Sequence, residues 1–481
     1  MLHSKGRSTG GLPSKTLPSI KYTKKVEITE NRVIMLPDVS FQGAGKGYYM
    51  FVERVARQES PMMQIAVIGA GLSGLATTIA LMKRFHQPFE AWLIDAQDAP
   101  GSFGNGPAGR ALTSEPARDL SVIPDRPDDF ADWLKSSLLA DGPIASLRGP
   151  QDLHVPRALF RDYVMARFSE ALSLRKDIRI RTFRGEVRDA IPQNDRVRLR
   201  FREGDRAEFD HVFIATGFGA AQREADSWRE AHAAADRLSQ CEDPPALTLL
   251  GNGPRFAALL LDLRASGYAG PIHIRAATGS LPQPHGRGHD RASFGPPPAS
   301  RSLRDAFHYI RRECRTAENR EPGQWQSVVD AASLRLSAVW RNLPQKERNH
   351  YRRHLLHLHR HFSTRIARDT HRRLVAELET GRTQFVSSRL PAGPEENTVD
   401  CRETPSASVL ARLLGVDLDL LSVNDSGSLL VEGNPLLGLS LVGTAASSLR
   451  PGPFVFAETV RQAYRAVLDM QRHTFALASR S

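Results

Sequence analysis

The chain has 481 residues, with 65 Lys+Arg against 53 Asp+Glu, a formal charge of +12 and 41% hydrophobic residues. This length suits several domains with a large core, and the apolar fraction excludes a largely disordered chain. No apolar run reaches the length of a membrane span, so we expect no membrane segment. Cys241, Cys314 and Cys401 form no CxxC pair, which excludes a disulfide scaffold and a cysteine-rich zinc module and favours a reducing, cytoplasmic location.

The positive charge is distributed in a way that does not favour nucleic-acid binding. Six of the ten lysines lie in the first 46 residues, and beyond them arginine supplies nearly all the cations. Arginines spread along helices and strands usually form solvated faces and carboxylate pairs, whereas a nucleic-acid site concentrates them in one groove. We therefore expect a small-molecule substrate as the partner and treat nucleic-acid binding as the least favoured reading.

The elements in chain order predict an α/β fold with two Rossmann-like dinucleotide-binding units. Residues 1–61 show no sustained period and are predicted to be a disordered extension, or an upstream start that is not used. A first unit is predicted over 62–220, with strands at 65–68 and 91–94, helices at 75–84, 127–139 and 157–174, and a β-meander over 178–214; residues 425–475 complete it. A second unit follows over 245–300, then a helical insertion over 301–390 and a loop-rich connection over 391–424.

The first glycine loop carries the strongest functional signal. It reads Gly69-Ala70-Gly71-Leu72-Ser73-Gly74, follows an apolar strand and opens a helix, and Asp95 stands 21 residues after Gly74 at the end of the next strand. Gly69 permits the tight turn, Gly71 lets the backbone approach a pyrophosphate, and Gly74 lets helix and strand pack closely. The helix N-terminus attracts the phosphates, and Asp95 is expected to accept hydrogen bonds from the ribose. The loop predicts dinucleotide binding.

Two later strand ends favour FAD as that dinucleotide. The meander closes on an apolar strand ending in Ala215-Thr216-Gly217, which is typical of the return to the cofactor in flavoproteins with two dinucleotide units. Near the C-terminus another strand ends in Gly443-Thr444, where such proteins often place an acid on the ribityl chain and Thr444 can hydrogen-bond instead. The helix that begins at Phe456 would direct its positive end at the isoalloxazine ring.

A second loop follows the strand at 246–250 and begins Gly251-Asn252-Gly253. Its position predicts a second nucleotide, NADPH or NADH, held by Gly251 and Gly253. Two residues depart from the fingerprint, because Pro254 lies in the turn and Phe256 replaces the third small residue. Binding of NAD(P)H and a vestigial structural role therefore both stay open for this loop.

Several further motifs carry a resemblance to a known family. They are Pro116-Ala117, Leu120-Ser121, the run 124–130, Trp133-Leu134, Val155-Pro156-Arg157 with Tyr163, the run 281–285, Trp340 with Leu343-Pro344, Arg353-His354-Leu355 and His359-Arg360-His361. With the first glycine loop, they make the chain from about Met63 to Met470 resemble the bacterial FAD-NAD(P)-binding proteins. That family is distantly similar to flavin N-hydroxylating monooxygenases. The resemblance implies FAD at the first loop and a nicotinamide dinucleotide at the second.

The resemblance weakens at the second loop. The family's Gly-Thr-Gly-Leu-Thr turn is replaced by residues 251–255, its double Arg after the next strand by Ala276-Ala277, and an Asn near the flavin loop by Ser114. These departures concern the nicotinamide site. We expect an FAD-dependent oxidoreductase, in its finer form an NAD(P)H-using monooxygenase on a small substrate, or alternatively an FAD/NAD(P)-binding module without turnover.

The histidines give no sequence-level catalytic or metal site. His350, His354, His357 and His361 are spaced to share one helix face, but no carboxylate has matching spacing and arginines are interleaved. We therefore predict a polar face and no metal. His285 lies in a proline-bracketed loop where a substrate could reach it, although an ordinary loop histidine is the preferred interpretation. No catalytic residue is assigned, because flavin chemistry often needs no protein acid or base.

Overall fold

The computed structural model describes residues 62–96, 100–101, 103–138, 150–193, 196–218, 224–276, 278–286, 302–387, 397–403, 407–424, 426–449 and 455–478. The predicted disordered extension, residues 1–61, lies outside the described residues. The described strands are β1 (Met63–Ile68), β2 (Phe89–Asp95), β3 (Arg179–Arg184), β4 (Val187–Gln193), β5 (Arg196–Phe201), β6 (Arg206–Phe209), β7 (His211–Ile214), β8 (Leu247–Leu250), β9 (Ile272–Arg275), β10 (Gln283–Pro284), β11 (Arg365–Ile366), β12 (Thr383–Phe385), β13 (Thr398–Asp400), β14 (Leu421–Val423), β15 (Ser428–Val431) and β16 (Asn434–Leu441).

The helices connect these strands and cover the sheets. They are α1 (Leu72–Arg84), α2 (Asp129–Leu138), α3 (Arg157–Ser173), α4 (Glu224–Leu238), α5 (Pro254–Ala265), α6 (Leu303–Arg320), α7 (Trp325–Asn342), α8 (Gln345–His350), α9 (Leu356–Ser363), α10 (Arg368–Glu379), α11 (Ala407–Leu414) and α12 (Phe456–Ala478). Among the helices described, none combines the length and the hydropathy needed to cross a membrane.

A seven-stranded sheet forms the centre of the first unit, in the order β14-β15-β16-β7-β1-β2-β3. Strand β1 pairs in parallel with β2 and with β7, so that Ile65 lies opposite both Ala91 and His211. Because side chains alternate along a strand, Ile65 and Val67 enter a core with α1, α3 and α12. Ala66 and Ile68 enter the core on the other face. A strand buried on both faces in this way reads as a continuous apolar run.

The predicted meander over 178–214 is wrong as a single unit. Strand β3 joins the large sheet in parallel with β2, whereas β4, β5 and β6 form a separate antiparallel sheet and β7 returns to the parallel one. The error has a physical cause. Strand β3 lies at the edge of the sheet and is mostly exposed, so its alternating arginines look like those of the solvated β5.

The second unit is a parallel sheet in the order β12-β9-β8-β13, covered by α4, α5 and α10. Its outer strands β12 and β13 come from the segments predicted as the helical insertion and the loop-rich connection. The sheet therefore draws on residues well beyond the 245–300 span expected for this unit. The predicted α/β fold with two Rossmann-like units is confirmed.

The buried carboxylate of Asp129 is the centre of a hydrogen-bond network that joins α2, α3 and the loop between 120 and 126. The Tyr163 hydroxyl donates to Asp129 Oδ2 at 2.8 Å and accepts from the Val122 N–H at 3.1 Å. Arg167 Nε donates to the same Asp129 oxygen at 2.7 Å. The side chain of Asp129 is fully buried, and a buried carboxylate requires partners of this kind. The network ties α2, α3 and the 120–126 loop into one piece.

We predict that Tyr163→Phe destabilises the protein by about 1–2 kcal/mol, because Asp129 loses a buried donor. The expected fall in the thermal midpoint is about 2–4 °C per kcal/mol, measured by circular dichroism. Tyr268→Phe is the matched control, since the Tyr268 hydroxyl contacts Pro271 O only at 3.5 Å. Equal losses in the two variants would contradict a specific role for the Asp129 network.

Candidate functional site

The first glycine loop is held by contacts that only glycine allows. Gly69 has φ +102° and donates its N–H to Ile94 O at 2.7 Å. A Cβ at Gly69 would lie 2.4 Å from Ala215 O, and one at Gly74 would lie 1.8 Å from Gly69 O. The loop, the end of β2 and the end of β7 therefore meet backbone against backbone at the carboxyl edge of the sheet, where ligands of this fold bind.

Gly71 plays a different part, because it leaves space above the helix. It is the N-cap of α1, which has no capping side chain and no acid in its first turn. A Cβ placed on Gly71 would meet no atom of the described residues within 4 Å. Helix N-termini attract phosphate through their N–H groups and dipole. These residues fit a dinucleotide pyrophosphate.

Asp95 lies where the fingerprint predicts it, at the end of β2. One of its carboxylate oxygens, Oδ2, accepts the Ala70 N–H at 2.7 Å. The carboxylate therefore fixes the middle of the glycine loop from the next strand. The ribose contact expected of Asp95 remains a prediction.

The C-terminal strand end reaches the same place. A Cβ at Gly443 would lie 2.2 Å from Ser73 Oγ, and Thr444 is buried beside it. The Gly443 N–H donates to Gln462 Oε1 on α12 at 3.1 Å, and Gln462 Nε2 donates to Leu441 O. The structure thus brings Ser73 and Gly443 into contact. The other predicted residues of the first site lie at the same edge, on three segments: 69–74, 216–217 with Gly217 at φ +62°, and 443–444.

The second glycine loop has the same backbone turn as the first, but the Glu403 carboxylate lies over it. The Gly251 N–H donates to Arg275 O at 2.8 Å, and Gly253 is the N-cap of α5. The Glu403 carboxylate accepts the Arg255 N–H at 3.3 Å, and a Cβ at Gly253 would lie 2.8 Å from Glu403 Oε2. The residues present on this loop therefore do not fit a second pyrophosphate in the structure described.

Sequence reasoning missed Glu115, which caps the helix expected to face the flavin ring. Its carboxyl oxygens accept the Phe456 N–H at the start of α12, at 3.1 and 3.3 Å. Burial raises the pKa of Glu115 to about 8, although the bond from Phe456 opposes the shift, and the charges of Asp119 and Asp330 raise it further. Glu115 therefore holds a proton at neutral pH. It stands in a Gly/Pro-rich loop with no local pattern that marks it.

Two histidines pack beside this loop from different parts of the chain. His285 Nε2 bonds Ser114 O at 2.7 Å and His154 Nδ1 bonds Thr113 O at 2.9 Å. Because a carbonyl only accepts, both ring nitrogens carry hydrogen. The rings lie 5.1 Å apart. Burial, and secondarily the neighbouring His154, lower the pKa of His285 to about 3, and burial also lowers that of His154. Both rings are neutral at pH 7.

The predicted polar histidine face agrees with the structure over most of its length, because His350, His354 and His357 are exposed and the rings of His350 and His354 lie 4.8 Å apart. A π-helical turn at Tyr351–Leu355 separates α8 from α9 and shifts the register after His350. His359, on the same segment, is half-buried. Its Nδ1 is 2.6 Å from the Tyr351 hydroxyl and its Nε2 is 2.7 Å from Ser333 Oγ. Within the described ranges, His, Cys, Asp and Glu form no group of three placed to hold a metal.

Comparison with known families identifies the first unit. Residues 66–219 match the family described as FAD-NAD(P)-binding. These residues are therefore similar to an FAD-NAD(P)-binding domain. The match contains the first glycine loop, Asp95 and the strand end at Thr216-Gly217, and it ends before the second loop. The predicted family resemblance and cofactor class are confirmed. A search of curated proteins gave no match.

One solved structure supports the fold, and two further structures with lower TM-scores are similar over the same share of the chain. The ornithine N-hydroxylase of Kutzneria sp. 744, with reduced FAD, NADP+ and L-ornithine, is 14% identical, covering 86% of this chain and 100% of that chain at a TM-score of 0.52. The reduced ornithine hydroxylase of Pseudomonas aeruginosa is 13% identical, with coverage of 86% and 100% and a TM-score of 0.49. A bacillithiol disulfide reductase of Staphylococcus aureus is 11% identical, with coverage of 86% and 99% and a TM-score of 0.44. At these identities the likeness shows the fold alone.

The raised pKa of Glu115 predicts a pH-dependent stability. Between pH 4.5 and about 8 the folded protein holds this proton and the unfolded chain does not, so the free energy of unfolding falls as the pH rises. Glu115→Gln keeps an acceptor for Phe456 and removes the titration. We expect its free energy of unfolding to rise relative to wild type between pH 5.5 and 8.5, by on the order of 1 kcal/mol per pH unit at most. The thermal midpoints of the two proteins, measured at each pH, report this difference.

The control for this measurement is Glu458→Gln on the first turn of α12. Glu458 pairs with Arg461 at 2.9 Å on the outer part of the helix, so its substitution removes no enclosed carboxyl. We expect its difference from wild type to stay nearly constant over the same pH range. A constant difference for Glu115→Gln would show that Glu115 is ionised like a surface acid.

Proposed function

We propose that the protein is an FAD-dependent oxidoreductase. The observation that carries the proposal is the first glycine loop, which is closed on β2 and β7 by glycine-only contacts and open at Gly71. An uncapped helix N-terminus faces that opening. The match of residues 66–219 to the FAD-NAD(P)-binding family supports it.

Each predicted residue has a definite part in this proposal. The backbone at Gly69, Ala70 and Gly71 and the first turn of α1 would hold the pyrophosphate, with Ser73 and Gly74 packing that turn. Asp95 would hold the ribose while it fixes Ala70. Residues 216–217 and 443–444 would line the path to the flavin ring. When bound, FAD supplies two-electron transfer between a reductant and an acceptor.

Glu115 is the proton-holding group that the chain offers near this site. Its carboxyl caps the N-terminus of α12, which is predicted to point at the flavin ring, and its proton is retained at neutral pH. The N-terminus of α12 therefore faces a neutral acid, and no negative charge on Glu115 compensates the positive end of the helix dipole. Neutral His285 and His154 line the neighbouring loop, so no cation from these rings stabilises a negative charge there.

The finer form of the proposal is an NAD(P)H-using monooxygenase on a small substrate. The second unit supplies the appropriate fold, but the Glu403 contact disagrees with a dinucleotide on its loop. The same contact favours the second candidate, an FAD-binding module without turnover that uses the flavin structurally or as a sensor.

The first test concerns retention of FAD. Gly71→Val places a branched side chain in the open space above α1, and we expect it to reduce the flavin content of purified protein at least tenfold, on the order of 1.4 kcal/mol or more. Gly253→Val makes the same change at the N-cap of α5 and is expected to keep FAD. Absorption spectra of the two purified variants give the flavin content. Full FAD in Gly71→Val would show that this loop does not hold the cofactor.

The second test separates turnover from simple binding. The wild-type flavoprotein is titrated anaerobically with NADPH and with NADH while the visible flavin band is followed, and air is then admitted. Bleaching by either nucleotide, with return of the band in air, is expected of the NAD(P)H-using oxidoreductase. A band that responds to dithionite but to neither nucleotide would favour the binding module.

A further inference from the structure

The two glycine loops of the chain correspond residue by residue. Each first glycine donates its N–H to a carbonyl at the end of the following strand. Each N-cap glycine accepts at its carbonyl from the N–H four residues later. The residue after each returning strand donates to the last carbonyl of the strand before the loop. The pairs of bonds are Gly69 to Ile94 and Gly251 to Arg275, Leu75 to Gly71 and Ala257 to Gly253, and Ala215 to Ile68 and Cys401 to Leu250. Counting on from Ala215 and Cys401, Gly217 of the first unit corresponds to Glu403 of the second.

This correspondence isolates what differs between the loops. In the first unit a Cβ on the N-cap Gly71 would meet nothing within 4 Å among the described residues, whereas in the second a Cβ on Gly253 would lie 2.8 Å from Glu403 Oε2. The backbone beside the first glycine does not differ in this way, since it approaches a Cβ on Gly251 to 3.2 Å at Arg402 and a Cβ on Gly69 to 3.3 Å at the corresponding Thr216. The Glu403 side chain therefore covers the N-cap of the second loop, where the first loop is open.

The charges around Glu403 are those that a phosphate would use. Its carboxylate accepts the Arg255 N–H at 3.3 Å, in the first turn of α5. The guanidinium of Arg157, on α3, interacts electrostatically with both the Glu403 carboxylate and the Arg255 cation. The Arg255 guanidinium lies over the Phe218 ring at 5.5 Å, next to Gly217. The Glu403 carboxylate thus lies at a helix N-terminus and interacts electrostatically with the Arg157 cation, surroundings that also suit a bound phosphate.

We propose that Glu403 fills the pyrophosphate position of the second glycine loop with its own carboxylate and so excludes nicotinamide dinucleotides from it. A dinucleotide would bring two negative charges against this carboxylate in a partly buried site, where charge repulsion is weakly screened. The second loop also lacks the ribose acid of the first, because Ala276 stands where Asp95 stands. Glu403 is then the residue that decides whether the second unit binds NADP+.

The inference rests on the second unit being a dinucleotide fold, as the proposed function assumes, but not on flavin turnover. It is tested by isothermal titration of the full-length flavoprotein with NADP+, which cannot reduce the flavin. Glu403→Gln keeps the size of the side chain and removes its charge. We expect the Kd for NADP+ to fall by about tenfold or more relative to wild type, which equals about 1.4 kcal/mol.

Asp400→Asn is the matched control. Asp400 lies three residues away in the same segment and pairs with Arg402 at 2.7 Å, so the variant changes net charge equally without clearing the glycine loop. We expect its Kd to stay within about threefold of wild type. If Glu403→Gln does not fold, Glu403→Gly, which reproduces the residue of the first unit, is measured instead.

The outcomes separate the two proposals. An NADP+ affinity that does not change in either Glu403 variant, or equal gains in the Glu403 and Asp400 variants, would overturn the role of Glu403. The flavin content of each purified variant is read from its absorption spectrum and reports on the first loop alone. Wild-type protein that neither contains nor takes up FAD would therefore count against the proposed flavin site without bearing on Glu403.

Discussion

The close approach of three backbone segments at Gly69 is the constraint on which the first site depends. Strand β1 ends one residue before Gly69, α1 begins three residues after it, and β7 ends against it. A Cβ at Gly69 would overlap the carbonyl of Ala215, and a Cβ at Gly74 would overlap the carbonyl of Gly69. Glycine is needed at Gly69 because φ is positive, and at Gly74 because helix and loop touch. The opening at Gly71 exists only because its neighbours are packed this tightly.

One kind of interaction recurs around this centre with three different results. Asp95, Glu115 and Glu403 each place a carboxylate on a backbone N–H at or near the start of a helix. At Asp95 the bond stabilises a loop that remains open to a ligand. At Glu115 enclosure by protein outweighs the bond, and the carboxyl keeps its proton at neutral pH. At Glu403 the carboxylate interacts with the Arg157 cation and takes the place of a ligand.

The two dinucleotide units therefore share a backbone and differ in chemistry. The same three pairs of backbone hydrogen bonds define both loops, because any parallel strand–turn–helix unit with this register must make them. The side chains that follow the returning strand are not constrained by that register. Gly217 in one unit and Glu403 in the other occupy equivalent places, and this single difference separates an open loop from a covered one.

The sequence alone predicted the α/β fold, the first glycine loop, Asp95 and FAD as the cofactor class. It could do so because the glycine spacing, the apolar strand and the acid 21 residues on are set by local backbone geometry. It predicted β3 as part of a meander, because an edge strand carries the same alternation as a solvated one. It predicted a polar histidine face but not the π-helical turn at Tyr351–Leu355, because such a turn leaves no pattern in the residues. Tertiary structure alone decided the positions of Glu115, 341 residues from its partner Phe456, and of Glu403, 148 residues from Arg255. Such contacts depend on how separate segments pack, and no local periodicity encodes that.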